Sequence, residues 1–297
     1  MTTLNMFDNH SHVSNLAAQG YGSADFEVEE IPLLYTHDGL LNTVPKRVAT
    51  KRLDNGAILG VHGLKYKAVS HKEMIDNQRT IIERSDLDCE GIKERIVTAN
   101  NGARCFIHHQ LPAHTFRTPS DDTATLTFLG TNSYDGFFSF LLSGGANQGA
   151  CMNGQVWTSG ASTIYKAKHT QQLNIQHASR VVSGALEIFA NQVDLWYEWA
   201  NTPITLPEVT EFLRKVGNVD PDSTFDEAIK RNRNFSYMYK QYINRYKPAL
   251  GANKWALYNA LTDWSTHAPA ARKTTEVANL QQTRATKVQD ALKLLAA

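Results

Sequence analysis

The sequence predicts an α+β protein, with a mostly antiparallel sheet of hairpins in the N-terminal half packed against a helical C-terminal half. Two observations lead there. Between Lys46 and Leu142, turns built on Asn-Gly or Asp-Gly recur between short runs rich in apolar and β-branched residues, the pattern of tight turns that require positive φ. Beyond about Gly160 the apolar period lengthens to that of a helix, with proline and glycine where helices stop. Residues 1–22 read as a flexible N-terminal arm and 23–160 as the hairpin region. Residues 161–297 read as a helical region forming one globular unit with 23–160.

Residues 1–22 are polar and small, without a sustained period. The stretch to Leu41 gathers Asp25, Glu27, Glu29, Glu30 and Asp38, either a solvated acidic face or a cover for a basic surface elsewhere. Arg47 to Leu53 and Ala57 to Val61 flank Asp54-Asn55-Gly56 as a first hairpin, and Lys65 to Val69 reads as a further short arm. Ser70 with Glu73 opens a helix to about Glu83. Ile96 to Ala99 and Ala103 to His108 form a second hairpin around Asn100-Asn101-Gly102. Ala124 to Leu129 and Phe137 to Leu142 form a third around Thr131 to Gly136.

Ala178, Val181, Val182, Ala185, Phe189, Trp196 and Ala200 share one face of a single long helix that Pro203 ends. Thr205 and Glu208 open a short helix closed by Gly217, and Asp222 to Glu227 opens another reaching about Lys247 before Pro248. Helices over Lys254 to His267 and Lys273 to Leu295 complete the chain.

With 297 residues, 42% apolar and 20% charged, the chain can bury a substantial core, and its net charge of +1 is uninformative about partners. Three scattered cysteines, Cys89, Cys105 and Cys151, argue for a reducing compartment, and no run is long enough to span a bilayer. A cytoplasmic protein is expected, without membrane, metal or cofactor.

Charge distribution says more than net charge. No Asp or Glu occurs between Gly136 and Leu186, where Lys166, Lys168, His169, His177 and Arg180 stand. None occurs between Ala228 and Thr262, where Lys230, Arg231, Arg233, Lys240, Arg245, Lys247 and Lys254 alternate with Phe235, Tyr237, Tyr239, Tyr242, Tyr246, Trp255 and Tyr258. Cations track phosphates and aromatic faces stack bases, the chemistry of single-strand binding. The same spacing of Phe235, Met238, Tyr239, Tyr242 and Tyr246 also fits a core stripe with cations on the wet side.

His108, His109 and His114 near Cys105, and His10 with His12, match no metal-ligand spacing, and His108 and His109 point to opposite faces of a strand. Cys151, Asn153 and His169 could assemble a cysteine site only through folding, since no ionisable side chain other than cysteine and tyrosine lies from Gly136 through Tyr165. Gly144 to Gly149 lacks the Gly-Lys-Ser/Thr ending of a phosphate loop and reads as a flexible link. Asn132, Ser133 and Asn153 fit turns, or hydrogen bonds to a ligand.

Val44-Pro45 with the Arg47 to Val61 hairpin, Tyr66 to Val69, Thr131-Asn-Ser-Tyr-Asp-Gly136, Cys151-Met-Asn-Gly154, Lys168-His-Thr170 and the run Trp255 to His267 occur in this order. Together they resemble the phage and plasmid family catalogued as domain of unknown function 932, from about residue 40 to 270. The N-terminal arm departs from that pattern in lacking a Trp-containing lead-in, and Gly144 to Gly149 departs as an insertion-like loop. The resemblance implies a mobile-element protein carried near replication, recombination or host-takeover genes, and it brings no catalytic residue.

The reading that follows is a nucleic-acid-binding accessory protein, with single-stranded DNA favoured in replication or recombination, as in annealing. Lys166, Lys168, Arg180, Arg231, Arg233, Lys240 and Lys247 would contact phosphates, Tyr237, Tyr239 and Tyr242 would stack on bases, and self-association as a homo-oligomer would extend the groove. A host-protein-binding module that uses the aromatic C-terminal helices is the alternative. An enzyme around Cys151, Asn153 and His169 is the third.

Overall fold

A computed structural model of the chain describes residues 11–12, 19–66, 68–148, 154–156, 163–167, 174–270 and 277–296. The hairpins build two antiparallel sheets. β1 (Ser11–His12) lies within the expected arm yet pairs with the edge of a later strand. β2 (Val28–His37), β3 (Leu40–Arg52) and β4 (Ile58–Gly63) form a three-stranded sheet in sequence order. Sequence reading took β2 for an acidic patch, a solvated face or a cover for a basic surface, and not for a strand. Its alternation is hidden because most of its side chains are exposed.

The turn between β3 and β4 closes as expected. Gly56 has φ +73°, its N–H donates to the Arg52 carbonyl at 2.9 Å, and the Asn55 side chain accepts from Ala57 N at 3.0 Å. At the other end, Asp38 (φ 50°) and Gly39 (φ 76°) turn β2 into β3. Pairing then runs from His37↔Leu40 to Leu34↔Thr43, and resumes at Pro32↔Val48 beyond a bulge containing Pro45 and a left-handed Lys46 (φ 57°). The distal ribbon leaves Leu34, Tyr35, Leu40 and Leu41 between 47% and 70% exposed.

α1 (His71–Glu83) begins at Ser70, whose hydroxyl accepts from Glu73 N at 3.0 Å, and buries Met74, Ile75, Ile81 and Ile82. Of the short arm expected over Lys65 to Val69, Lys65 lies in a turn and Tyr66, Ala68 and Val69 are outside any strand, and the Tyr66 hydroxyl reaches across to donate to the Ser133 carbonyl at 2.8 Å.

The second sheet is a meander of β5 (Lys93–Ala99), β6 (Arg104–Arg117), β7 (Thr123–Ser133) and β8 (Phe140–Gln148). β1 sits beside β5, and β9 (Gly154–Val156) and β10 (Thr163–Ala167) pair with β8. Three expectations are corrected here. Thr131 to Ser133 belong to β7 and not to a turn, which begins at Tyr134. Gly144 to Gln148 are strand, their lack of bulk compensated by backbone pairing with Phe128 to Ala124. β10 also places a strand inside the region expected to be helical, where only backbone pairing to β8 reveals it.

The helical half holds α2 (Ile175–Ser183), α3 (Ala185–Asn201), α4 (Leu206–Val216), α5 (Phe225–Arg231), α6 (Arg233–Gln241), a π turn (Tyr242–Tyr246), α7 (Lys247–Leu250), α8 (Lys254–His267) and α9 (Val277–Ala296). The single long helix expected over Ala178 to Ala200 breaks at Ser183-Gly184, where Ser183 Oγ turns back onto the Ser179 carbonyl at 3.1 Å. The helix expected from Asp222 to Lys247 is interrupted at Asn232. Its side chain accepts from Phe235 N and donates to the Gly217 carbonyl, both at 2.9 Å, so it starts a new helix. Pro248 stops nothing because it occupies the first turn of α7, where its missing N–H is not needed.

α8 is buried from Trp255 through Thr266 and is the axis of the molecule. One continuous core joins Ile75 and Ile82 of α1, Ile107 and Phe128 of the large sheet, Trp196 of α3, Phe235 of α6, Trp255 and Trp264 of α8, and Leu292 of α9.

At Gly56 an added Cβ would meet no heavy atom within 4 Å, so only the positive φ opposes a side chain. Gly56→Val is expected to lower stability by roughly 1 kcal/mol or more, measured by urea unfolding, with an unchanged denaturant slope.

Candidate functional site

The segment Thr131 to Gly136 is a joint between the two sheets and α1. Thr131, Asn132, Ser133 and Tyr134 are all fully buried. Asn132 Nδ2 donates to the Val69 carbonyl and to His71 Nδ1, each at 3.0 Å, while His71 Nε2 donates to the Gly102 carbonyl at 2.8 Å. The Tyr134 hydroxyl accepts from His71 N at 2.9 Å, and its carbonyl accepts from His62 Nε2. Burial raises the Tyr134 pKa. Ser133 Oγ accepts from Phe138 N at 2.8 Å and donates to the Phe138 carbonyl at 3.1 Å. Asp135 pairs with Arg104 at 2.6 Å, and that guanidinium covers the Phe137 ring at 3.8 Å. Gly60 lies so close that a Cβ there would stand 2.1 Å from the Tyr134 carbonyl oxygen.

A second polar cluster lies between α1 and the large sheet. His109 faces α1 and His108 the opposite side of β6, as strand alternation requires. Arg79 grips Glu94 with two bonds of 2.8 and 2.6 Å and also donates to the carbonyls of Gln19 and Gly20. His109 Nε2 donates to Glu94 at 2.8 Å, and Gln78 Nε2 donates to His109 Nδ1 at 2.9 Å. Gly130 makes room for this, since a Cβ there would stand 1.6 Å from Gln78 Oε1. Burial pushes the Glu94 carboxyl up, but the bonds from Arg79 and His109 outweigh it and hold the pKa at about 2. Both His109 nitrogens are engaged, so this imidazole has no free nitrogen to act as a general base. Burial pushes the Cys105 thiol up as well. Among the described residues no group of three or more His, Cys, Asp or Glu could hold a metal.

The basic C-terminal face divides into an inner and an outer set. Inside, Asp263 is 1% exposed and accepts from the Tyr237 hydroxyl at 2.7 Å, Arg245 Nη1 at 2.9 Å and the Tyr246 hydroxyl at 2.8 Å. Burial, then the bond to Asp263, raises the Tyr237 pKa. Tyr242 is 1% exposed, and Tyr239 is half-buried against Phe225 and Phe235. Tyr237 and Tyr242, nominated for stacking, are therefore turned into the protein. Trp255 and Tyr258, candidates for a partner-binding surface, are core residues too.

Outside, Lys230, Arg233 and Lys240 are exposed and have no carboxylate partner among the described residues. Arg231 is 81% exposed with a loose contact of 3.8 Å to Glu227, and Lys247 is half-buried. Arg180 opens on a polar cleft of about 580 Å³ shared with Arg84 and Asp86. Lys166 lies on β10, and its side chain is outside the described residues, as are Lys168, Cys151, Asn153 and His169. The acidic N-terminal segment does its described ion pairing locally, Asp25 and Glu27 with Lys72 at 2.8 Å each and Glu29 with Lys51 at 3.0 Å. Sequence reasoning missed the buried Asp263 and Arg284, because each lies outside the acid-free stretch that drew attention.

The family model described as Domain of unknown function (DUF932) matches residues 58–289, from β4 into α9. No curated protein and no solved structure matches the chain significantly. No helix among the described residues is long and apolar enough to cross a membrane.

The folded Glu94 pKa of about 2 lies below the ordinary 4.5. Its contribution is therefore full above pH 4.5 and is lost as pH falls toward 2, about 3 kcal/mol in all. Glu94→Gln should lower the melting temperature at pH 7 and flatten the acid limb of stability between those limits, read by thermal melts across pH.

Proposed function

The chain belongs to the DUF932 family, whose description assigns no chemistry, and from its own residues we propose a nucleic-acid-binding accessory protein of a phage or plasmid. It holds single-stranded DNA by the phosphates during replication or recombination. The observation that carries this reading is the outward set of cations along α5 and α6, where Lys230, Arg233 and Lys240 face solvent unpaired among the described residues. Exposed like charges repel one another, and a polyanion relieves that repulsion while releasing its counterions. With Tyr237 and Tyr242 turned inward, affinity comes mainly from phosphate contacts and selects little among base sequences.

A second reading rests on a separate observation. The distal β2–β3 ribbon carries Leu34 and Leu41 on one face and Tyr35 and Leu40 on the other, all well exposed. Two-stranded ribbons are marginal in water and exposed apolar patches mark contact sites, so the ribbon fits a protein partner, whether a host factor or a second copy. Salt separates the readings, because phosphate contacts weaken steeply as salt rises and apolar contacts do not.

Replacing Arg231, Arg233 and Lys240 together by Gln should reduce the slope of log affinity for single-stranded DNA against log salt by at most about 2 units, given ~0.7 per phosphate contact on single strands. Fluorescence anisotropy over a salt series measures it. An unchanged slope removes these residues from the phosphate path, and absence of binding by the wild type at low salt contradicts the function.

A further inference from the structure

Arg284 on α9 is 7% exposed. Its Nη1 donates to the carbonyls of Trp264, at 3.3 Å, and Ala268, and its Nη2 to that of Pro269 at 3.2 Å, so the guanidinium closes the C-terminal end of α8. It also lies 5.4 Å from the Trp264 ring centre. A helix C-terminus supplies only about half a negative charge, and no carboxylate among the described residues pairs with Arg284.

A second guanidinium faces the same place. Arg233, in the first turn of α6, lines a cavity of about 30 Å³ together with Asn234, Trp264, Pro269 and Arg284. Burial, together with the positive charge of Arg233, lowers the Arg284 pKa. Among the described residues, two guanidinium groups, one buried and one exposed, therefore face this cavity beside the partial negative charge of a helix end. A buried charge is costly unless paired, and an anion is the ligand that two guanidinium groups at one cavity suit.

The hydrogen-bonding groups on the walls agree with this. Asn234 Oδ1 accepts from Trp264 Nε1 at 3.2 Å, which leaves the amide hydrogens as its available groups. The Tyr237 hydroxyl is committed to Asp263 at 2.7 Å. Of the five N–H bonds of Arg284, three serve the carbonyls of α8 and the residues after it, and the other two have no acceptor among the described residues. Among the described residues the side-chain groups of Arg233, Asn234 and Arg284 left over on the wall are donors, and the cavity has the room of one oxygen atom.

We propose that this cavity is an oxyanion subsite for one phosphate group. One phosphate oxygen sits among Arg284 and Asn234, and the remainder of the group lies on the exposed Arg233 guanidinium. The subsite stands on its own geometry, whereas assigning its phosphate to a DNA backbone rests on the function proposed above.

The test uses the full chain, melted in inorganic phosphate and in chloride at matched pH and ionic strength. Wild type should melt higher in phosphate, with an apparent phosphate affinity at least about 10-fold above that of Arg233→Gln, while Arg233→Lys keeps part of it. Because Arg284 closes a helix end and its removal would disturb folding, Asn234→Ala serves as the second variant and should also weaken the phosphate effect. Equal melting of the wild type in phosphate and chloride would overturn the subsite and leave the cavity to a water. Single-stranded DNA separates the sources: a salt slope smaller by about 0.7 in Arg233→Gln places a backbone phosphate there. A phosphate effect without any DNA binding keeps the subsite as one for free phosphate and removes the nucleic-acid reading instead.

Discussion

Asp263 is the first acid after a stretch of thirty-five residues without one, Ala228 to Thr262, and it is fully enclosed. Three donors converge on it from α6 and the π turn, Tyr237, Arg245 and Tyr246. Adjacent residues of an ordinary α-helix face apart, yet across the π turn Arg245 and Tyr246 reach the same carboxylate oxygen. Charge-assisted bonds of this kind offset the cost of burying the carboxylate, and removing it would strand the donors. The consequence reaches the surface. By drawing the phenols of Tyr237 and Tyr246 inward, Asp263 ties α6 and the π turn to α8, and Arg233 and Lys240 of α6 meet solvent.

The motif that carries the family resemblance has a comparable role in the other half. Thr131 to Asp135 tie β7 to α1, to β4 and, through His71, to Gly102, by bonds of Asn132 Nδ2, the Tyr134 hydroxyl and carbonyl and the Asp135 carboxylate, while Thr131 Oγ1 and Asn132 Oδ1 are buried without a partner among the described residues. Polar residues with Asx and Ser chemistry in one short segment suggest a ligand site, but here the bonds hold the two sheets together. The chemistry open to solvent lies elsewhere, on the helical face.

Much of this was legible in the sequence where the signal is local. The Asn55-Gly56 turn, the Ser70 cap, the Thr205–Glu208 start, the helix start within Asp222 to Glu227 and the span of α8 depend on neighbours within a few residues, and they stand in the structure as read. The errors share a different cause. β10 and the glycine-rich part of β8 are strands only because a partner strand lies beside them, and Asn232 divides a helix because a carbonyl at Gly217 is within reach. The tyrosines of α6 had two readings at one helical spacing. A carboxylate on another helix, 26 positions away, settled the direction of Tyr237, and nothing in the local pattern announces it, while Tyr239 packs half-buried against Phe225 and Phe235.

The central claim is that the helical face engages nucleic acid through phosphates, with Tyr242 buried and the half-buried Tyr237 bonded through its hydroxyl to Asp263. The most direct measurement compares a single-stranded oligonucleotide with an abasic phosphodiester chain of equal length at the same salt. Base stacking contributes roughly 1–3 kcal/mol per base, so a stacking site would lose 10-fold or more in affinity when the bases are removed. Affinities within a few-fold of each other and a common salt slope are the expected result, and a large loss on the abasic chain would contradict the account.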